Sequence, residues 1–365
     1  MANLAADVQM PMSVVVPTIE VGATPLAHLS VADHRLGTTA RIGVKLECLN
    51  RTGSVKDRTA VGLLQAMHRQ APLRAADVVV ESTSGNLGIA MASILVPLGC
   101  RFIAVIDPNI PPDARRELIR LGAEIQDVTA PDANGGYLLN RLHAVEALCA
   151  ANPHYRWTNQ YGNPANSEIH LRTTGPELVA QAPDLDAVYV AVSTGGTLAG
   201  ISGHLRTERP AARIVAVDAE GSIALGGVPR QRLLSGIGAS RASVFLSEHA
   251  FDAVVRIADA PSFAMCRALR AQTGVALGGS SGSVLTACVA EATAVDSPAR
   301  HPVCLAADGG RNYARSLFDD AWLAAKGVLT AVRRVEDEIN ARFSFAFEPQ
   351  DQWEDLVSFP ALGES

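Results

Sequence analysis

Short apolar runs alternate with helix-length amphipathic stretches along most of this chain. That alternation leaves room for little besides layers of helix around a mainly parallel sheet. Residues 77–81 (DVVVE), 101–106 (RFIAVI), 187–192 (AVYVAV), 213–218 (RIVAVD) and 302–306 (PVCLA) are almost continuously apolar, as strands covered on both faces must be. Between them, residues 86–99 read as a helix starting after Gly85, and residues 112–121 as a helix ended by Gly122. Residues 123–128 then extend again. The fold class is α/β.

Composition narrows the function. The chain has 365 residues, 48% hydrophobic and 19% charged, which at ~150 residues per domain suits roughly two domains with a large core. Thirty-one Lys and Arg against thirty-seven Asp and Glu give a formal charge of −6, with no basic run dense enough to follow a phosphate backbone, so nucleic acid is not the expected partner. No apolar run approaches the ~20 residues that span a bilayer. Residues 1–13 lack a basic start and an apolar core, and six scattered cysteines form no CxxC pair, so a cytoplasmic protein with reduced thiols and no metal site is expected. Residues 325–343 suit an amphipathic helix, and residues 344–365 an acidic, turn-prone tail that is loose or packs on a neighbouring subunit.

Four segments carry chemistry. Residues 45–58 (KLECLNRTGSVKDR) take a strand ending near Glu47 through a polar turn into a helix beginning near Ser54, with Lys56 in its first turn. The positive end of a helix favours a neutral amine, the form that attacks a carbonyl, although alone Lys56 reads first as a solvated surface lysine. Residues 81–88 (ESTSGNLG) stand at a strand-to-helix junction, where Thr83, Ser84, the Gly85 amide and Asn86 form a compact donor set suited to a carboxylate. Residues 193–200 (STGGTLAG) follow a strand and open a helix, a cradle for one phosphate monoester. This cradle is neither a Walker loop nor GxGxxG, which argues against ATP and NAD. Residues 278–283 (GGSSGS) offer a hydroxyl for a heteroaromatic nitrogen, and as a lone motif serve equally as a helix cap.

In that order, and with residues 22–26 (GATPL), 159–161 (NQY), 163–166 (NPAN) and 173–177 (TTGPE), the chain resembles the fold-type II enzymes of pyridoxal 5′-phosphate (PLP). The resemblance is to the cysteine synthase and cystathionine β-synthase group and covers residues 22–313. It implies a tryptophan synthase β-like fold of two three-layer αβα lobes with the active site between them. Residues 14–44 and 158–325 would form the large lobe, 45–157 the small lobe and 326–365 a C-terminal extension. It further implies that Lys56 is the Schiff-base lysine, that Asn86 meets the cofactor's 3′-oxygen, and that Ser193, Thr194, Gly195, Gly196 and Thr197 hold its phosphate. Ser280 would face the pyridine nitrogen, while Thr83, Ser84, Gly85, Asn86 and Gln160 hold the substrate carboxylate. A hydroxyl at that nitrogen makes the ring a weak electron sink, which suits β-elimination and addition through an aminoacrylate, with ping-pong kinetics.

Two positions depart from cysteine synthases: Leu87 replaces their usual Thr, and Ser193 replaces Gly at the start of the phosphate loop. Together with ESTSGNLGIA, residues 107–109 (DPN), 131–137 (PDANGGY) and 159–161, they resemble the branch of N-(2-amino-2-carboxyethyl)-L-glutamate synthases. That branch replaces the phosphate of O-phospho-L-serine with the amine of L-glutamate, on the way to 2,3-diaminopropionate in siderophores and peptide antibiotics. A phosphorylated substrate needs a cation, for which Arg241, in the run 236–241 (GIGASR), and Arg141 are candidates; each also reads as a surface charge or structural ion pair. Tyr161 and Ser193 shape the pocket for a bulky amine or serve packing and capping. Cysteine synthesis from O-phosphoserine or O-acetylserine with sulfide is the runner-up, cystathionine synthesis comes third, and a silent regulatory member is the non-enzymatic alternative. The resemblance also implies a homodimer.

Overall fold

A computed structural model describes residues 21–133 and 135–349. Residues 1–13, Asn134 and the aromatic tail residues Trp353 and Phe359 lie outside these. The chain begins with β1 (Leu26–Asp33), β2 (Thr38–Leu46), α1 (Lys56–Gln70), β3 (Val78–Ser82), α2 (Asn86–Leu95), β4 (Arg101–Ile106), α3 (Pro112–Arg120) and β5 (Glu124–Asp127). It continues through α4 (Leu138–Ala151), β6 (Tyr155–Trp157), α5 (Ala165–Arg172), α6 (Thr174–Gln181), β7 (Ala187–Ala191), α7 (Gly196–Glu208) and β8 (Arg213–Ala219). The remainder is β9 (Ala253–Ile257), α8 (Asp259–Thr273), α9 (Gly279–Ala292), β10 (Pro302–Ala306), α10 (Asp320–Ala325), α11 (Leu329–Arg342) and β11 (Phe343–Phe347).

Two sheets result. One has seven strands in the order β11-β1-β2-β10-β7-β8-β9, parallel from β2 to β9 with an antiparallel margin. The other is a four-stranded parallel sheet, β5-β4-β3-β6. Successive strand residues point to opposite faces, so each apolar run feeds two cores. Val215 and Val217 of β8 join a core with α8 and α9, whereas Ile214 and Ala216 join one with α6 and α7. In the smaller sheet Val79 and Phe102 pack with α1, α2 and α3, while Val78, Val80 and Ile103 pack with Val145 of α4. Each sheet is thus the middle layer of an αβα sandwich. Among the described residues no helix is long and apolar enough to cross a membrane.

The C-terminal region differs from expectation. The helix anticipated over 325–343 is broken, because Gly327 adopts a left-handed turn (φ +72°) between α10 and α11. Residues 344–347, assigned above to a loose or intersubunit tail, belong to β11, which pairs with β1 through Val31↔Phe345. Phe343 and Phe345 turn into the core, and Ser344 and Ala346 face solvent.

The two sandwiches are tied together by a buried ion cluster. Arg58, on α1, donates from Nε to Glu47 Oε2 at 2.7 Å and from Nη1 to Glu177 Oε1 at 2.7 Å, and Lys45 Nζ meets Glu177 Oε2 at 2.6 Å. Thr24 Oγ1 donates to the other Glu47 oxygen. Burial by itself would lower the Arg58 pKa, but the two carboxylates hold it raised; Arg58 and Lys45 in turn bring Glu177 down to about 2 despite its own burial. The GATPL motif closes over this cluster: Gly22 has φ +92°, and a Cβ there would overlap the Arg58 guanidinium. Arg58→Ala strands Glu47 as a buried, unpaired carboxylate. It is expected to cost about 3–5 kcal/mol in urea unfolding. A loss below 1 kcal/mol, roughly the level of an exposed pair, would show that the cluster does not hold the lobes together.

Candidate active site

Of the expected site residues, Lys56, Thr83, Ser84, Asn86, Gln160, Tyr161, Ser193 and Ser280 line one pocket, whereas Gly85 and the rest of the 193–197 loop do not line it. The convergence is topological. Lys56 and Asn86 are the first residues of α1 and α2, Ser280 lies in the first turn of α9, and Ser193 follows β7 after Val192. Helix N-termini and the carboxyl ends of parallel strands therefore meet at one crevice.

Lys56 is half-buried. Burial lowers its pKa, and the charge of Asp308 acts against that shift. Asp308 lies beyond β10 and is the principal group the sequence reading missed. It is buried; its Oδ2 accepts from Asn86 Nδ2 at 2.7 Å and from the Tyr313 hydroxyl, while Oδ1 has no partner. Burial raises its pKa, opposed by Tyr313, Asn86, Lys56 and Ser280. The signal available in the sequence was the polar turn DGGRNY directly after an apolar strand, the same arrangement as the two turns that were recognised.

At the start of α2, Gly85 adopts φ +134° and the Thr83 hydroxyl accepts the Gly85 and Gly88 N–H groups at 3.1 and 3.0 Å. No hydrogen bond to the Asn86 or Leu87 N–H falls among the described residues, so this helix end presents free donors to the pocket. Gln160 is anchored: its Nε2 donates to the Ser82 carbonyl at 2.5 Å, and its backbone N–H donates to Glu81 Oε2 at 3.0 Å. Leu87 is buried on the same wall.

The 193–197 loop opens α7, which has no side-chain cap. Gly195 has φ +92°, where a Cβ would overlap Ser243 Oγ, and a Cβ on Gly196 would overlap the Asn166 carboxamide. Thr194 Oγ1 accepts from the Gly196 N–H at 3.2 Å, and Thr197 Oγ1 lies 3.3 Å from His170 Nε2. His170 is fully buried, with burial and the charges of Lys56 and Arg58 holding it neutral.

A second chamber of about 670 Å³ opens off the first and shares Ser84, Tyr161, Ser193, Ser235 and Gly236 with it. Arg141 lines it; the residue is 5% exposed, with Nε 3.2 Å from Asp107 Oδ2 and no hydrogen bond of good geometry from Nε or Nη1. Arg241 does not line either chamber. Residues 236–240 border the second chamber, but the Ala239 carbonyl and the Ser243 N–H then pair with residues 223 and 224, carrying Arg241 past the wall. The same irregular segment supplies Arg230 and Arg232 instead.

A family model described as pyridoxal-phosphate dependent enzyme matches residues 18–306. The chain belongs to that family. It is 41% identical over 308 residues to N-(2-amino-2-carboxyethyl)-L-glutamate synthase of Ralstonia nicotianae, covering 83% of this chain and 89% of that relative. It is 40% identical over 315 residues to the enzyme of the same name from Cupriavidus metallidurans, covering 86% and 92%. Among solved structures, an O-ureido-L-serine synthase variant bound to O-ureido-L-serine superposes with a TM-score of 0.74 at 26% identity, over 84% of this chain and 96% of that one. A hydrogen sulfide-producing enzyme holding an α-aminoacrylate intermediate gives a TM-score of 0.74 at 26% identity, over 81% and 89%. The fold is accordingly the fold-type II architecture expected from the motifs.

Glu81 underlies the pocket wall that carries Gln160. Its carboxylate accepts from the Thr158 hydroxyl at 2.5 Å, from the Gln160 N–H and from its neighbour's Ser82 N–H, yet complete burial pushes its pKa up to about 7. The folded protein therefore binds this proton more tightly than the unfolded chain. The stabilisation is whole below the ordinary value of 4.5 and is lost as pH rises through about 7. Melting temperatures measured from about pH 5 to pH 8 should fall more steeply for the wild type than for Glu81→Gln. Parallel profiles would mean that the carboxyl titrates in its ordinary range.

Proposed function

We propose that this chain binds PLP through Lys56 and replaces the phosphate of O-phospho-L-serine with the amine of L-glutamate, giving N-(2-amino-2-carboxyethyl)-L-glutamate, the precursor of L-2,3-diaminopropionate. The reading is of a cytoplasmic homodimer acting on small amino acids. The lobes are read as 45–157 against 14–44 and 158–325, although β2 of the seven-stranded sheet runs on to Leu46 and β11, from the C-terminal extension, joins that sheet. The residues present suit the cofactor: a half-buried lysine of lowered pKa, a glycine cradle at an uncapped helix end, and a buried Asp308 oxygen without a partner. Asn86 would meet the 3′-oxygen, Ser193, Thr194, Gly195, Gly196 and Thr197 the phosphate, and Ser280 the pyridine nitrogen. When bound, PLP supplies an electron sink for charge at Cα, which lets a β-substituent leave.

The observation that carries the reaction is the arginine-bearing chamber opening directly off the lysine pocket. Sulfide needs no such chamber; an anionic leaving group followed by a dicarboxylic nucleophile does. The free N–H donors of α2, with Thr83, Ser84, Gly85, Asn86 and Gln160 around them, receive the substrate carboxylate. Lys56 Nζ, its pKa lowered by burial, takes the Cα proton and later returns it. The Cβ–O bond breaks with loss of inorganic phosphate, which Arg141 receives, and a Cβ–N bond forms as the glutamate amine gives up a proton. Leu87 keeps the wall apolar where cysteine synthases carry a threonine hydroxyl, and Tyr161 narrows it.

Borohydride reduction and peptide mapping should place the cofactor adduct on Lys56, and Lys56→Ala should lose the absorption band near ~410 nm. An adduct on another lysine would overturn the cofactor assignment. Mass spectrometry after phosphoserine and then glutamate or sulfide should find the glutamate adduct; product from sulfide alone would make this a cysteine synthase. Arg141→Ala should raise the KM for phosphoserine roughly 10- to 100-fold, the worth of a charge-assisted hydrogen bond. An unchanged KM would remove Arg141 from phosphate recognition.

A further inference from the structure

We propose that Arg232 holds the side-chain carboxylate of the incoming amino acid and thereby selects a dicarboxylic amine over a neutral one. This rests on the β-replacement proposed above and assigns the half of it that the four recognised motifs leave unassigned. Those motifs account for the cofactor and the first substrate. The second substrate must present its amine at the lysine pocket while the rest of it lies outward, and the outward space is the second chamber.

Three arginines line that chamber, and their surroundings differ. Arg141 is deep and already shares its charge with Asp107 at 3.2 Å. Arg230 is exposed, so solvent screens it. Arg232 is half-buried, and among the described residues no carboxylate lies within ion-pairing distance of it. Its one hydrogen bond among those residues runs from Nη1 to the Ile237 carbonyl at 3.1 Å, which orients the guanidinium and leaves its remaining N–H groups available. The backbone is shaped around it as well. Gly238 has φ +73°, and any Cβ there would overlap Arg232 Nη1. Burial lowers the Arg232 pKa, with Asp218, Asp259 and Asp132 compensating only through space.

An oriented, partly desolvated guanidinium with no carboxylate at ion-pairing distance among the described residues is matched by a carboxylate, which it binds in a fork that fixes direction as well as charge. Glutamate brings that carboxylate; glutamine has the same length without the charge, and sulfide has neither. Because phosphate departs before the amine arrives, the chamber accommodates the two anions in turn.

The holoenzyme and its Arg232→Ala, Arg232→Lys and Arg230→Ala variants would be compared in two steps. Phosphate release from phosphoserine without an amine reads the first half-reaction, and kcat/KM for glutamate against glutamine reads the second. Arg232→Ala is expected to raise the KM for glutamate roughly 10- to 100-fold and to collapse the preference over glutamine. Phosphate release should keep its wild-type rate, and Arg232→Lys should restore part of the preference. An unchanged glutamate-to-glutamine ratio overturns the inference, as does an equal loss in both half-reactions, which would make Arg232 only a prop for the Ile237 loop. Transfer of the effect to Arg230→Ala also overturns it. If the wild type makes no product from phosphoserine and glutamate, the reaction itself fails; if it does and the Arg232→Ala ratio is unaltered, this inference alone fails.

Discussion

The active site depends on the pairing of Arg58 with Glu47 and Glu177. Arg58 belongs to the same first turn of α1 as Lys56, so the ion cluster that joins the sandwiches also sets where the lysine amine stands. The cluster is expensive to bury, and it persists because each guanidinium nitrogen and each carboxylate oxygen has a partner. Lys45 completes it from β2, which makes the strand, the helix and α6 one rigid support. A lysine held this way loses part of its hydration without losing its position.

Around that support the fold repeats one device. A parallel strand ends, a glycine turns the chain, and the next helix points its unpaired N–H groups back into the crevice. Gly85 and Gly195 perform the turn with positive φ, and at Gly195 the Ser243 side chain also leaves no room for a Cβ. The result is two helix ends suited to anions, which the proposed reaction fills with a carboxylate and a phosphate, with Asp308 and Tyr313 lining the lysine pocket. The arginine chamber is built differently, from α4 and the irregular segment between β8 and β9, and therefore can vary without disturbing the cofactor's surroundings.

Much of this was legible in the residues, and the rest was hidden for identifiable reasons. The motifs around Lys56, Asn86, Thr194 and Ser280 are contiguous, and local turn chemistry is enough to read them. Asp308 escaped because a single acid in a glycine turn looks like any surface turn until burial gives it meaning. Of the two arginines proposed for the anion, Arg141 reaches the chamber and Arg241 does not. Neighbourhood in sequence places a backbone near a site but does not determine where the chain turns next. The tail was misjudged because the β11 pattern, FSFAF, alternates over only five residues and its partner β1 lies some three hundred residues away.

The apolar periodicity of the strands and the fixed conformational demands of glycine, both properties of short stretches, determined the α/β class, the cofactor loops and the family. Only the tertiary structure decided which charges matter. A lysine, an aspartate or an arginine acquires its chemistry from what surrounds it, and those surroundings are assembled from strands and loops that meet only when two sheets are brought face to face. Asp308 lines the lysine pocket as a buried acid, Arg232 lines the second chamber with no carboxylate at ion-pairing distance among the described residues, and Arg241 lines neither, because of the path of its loop.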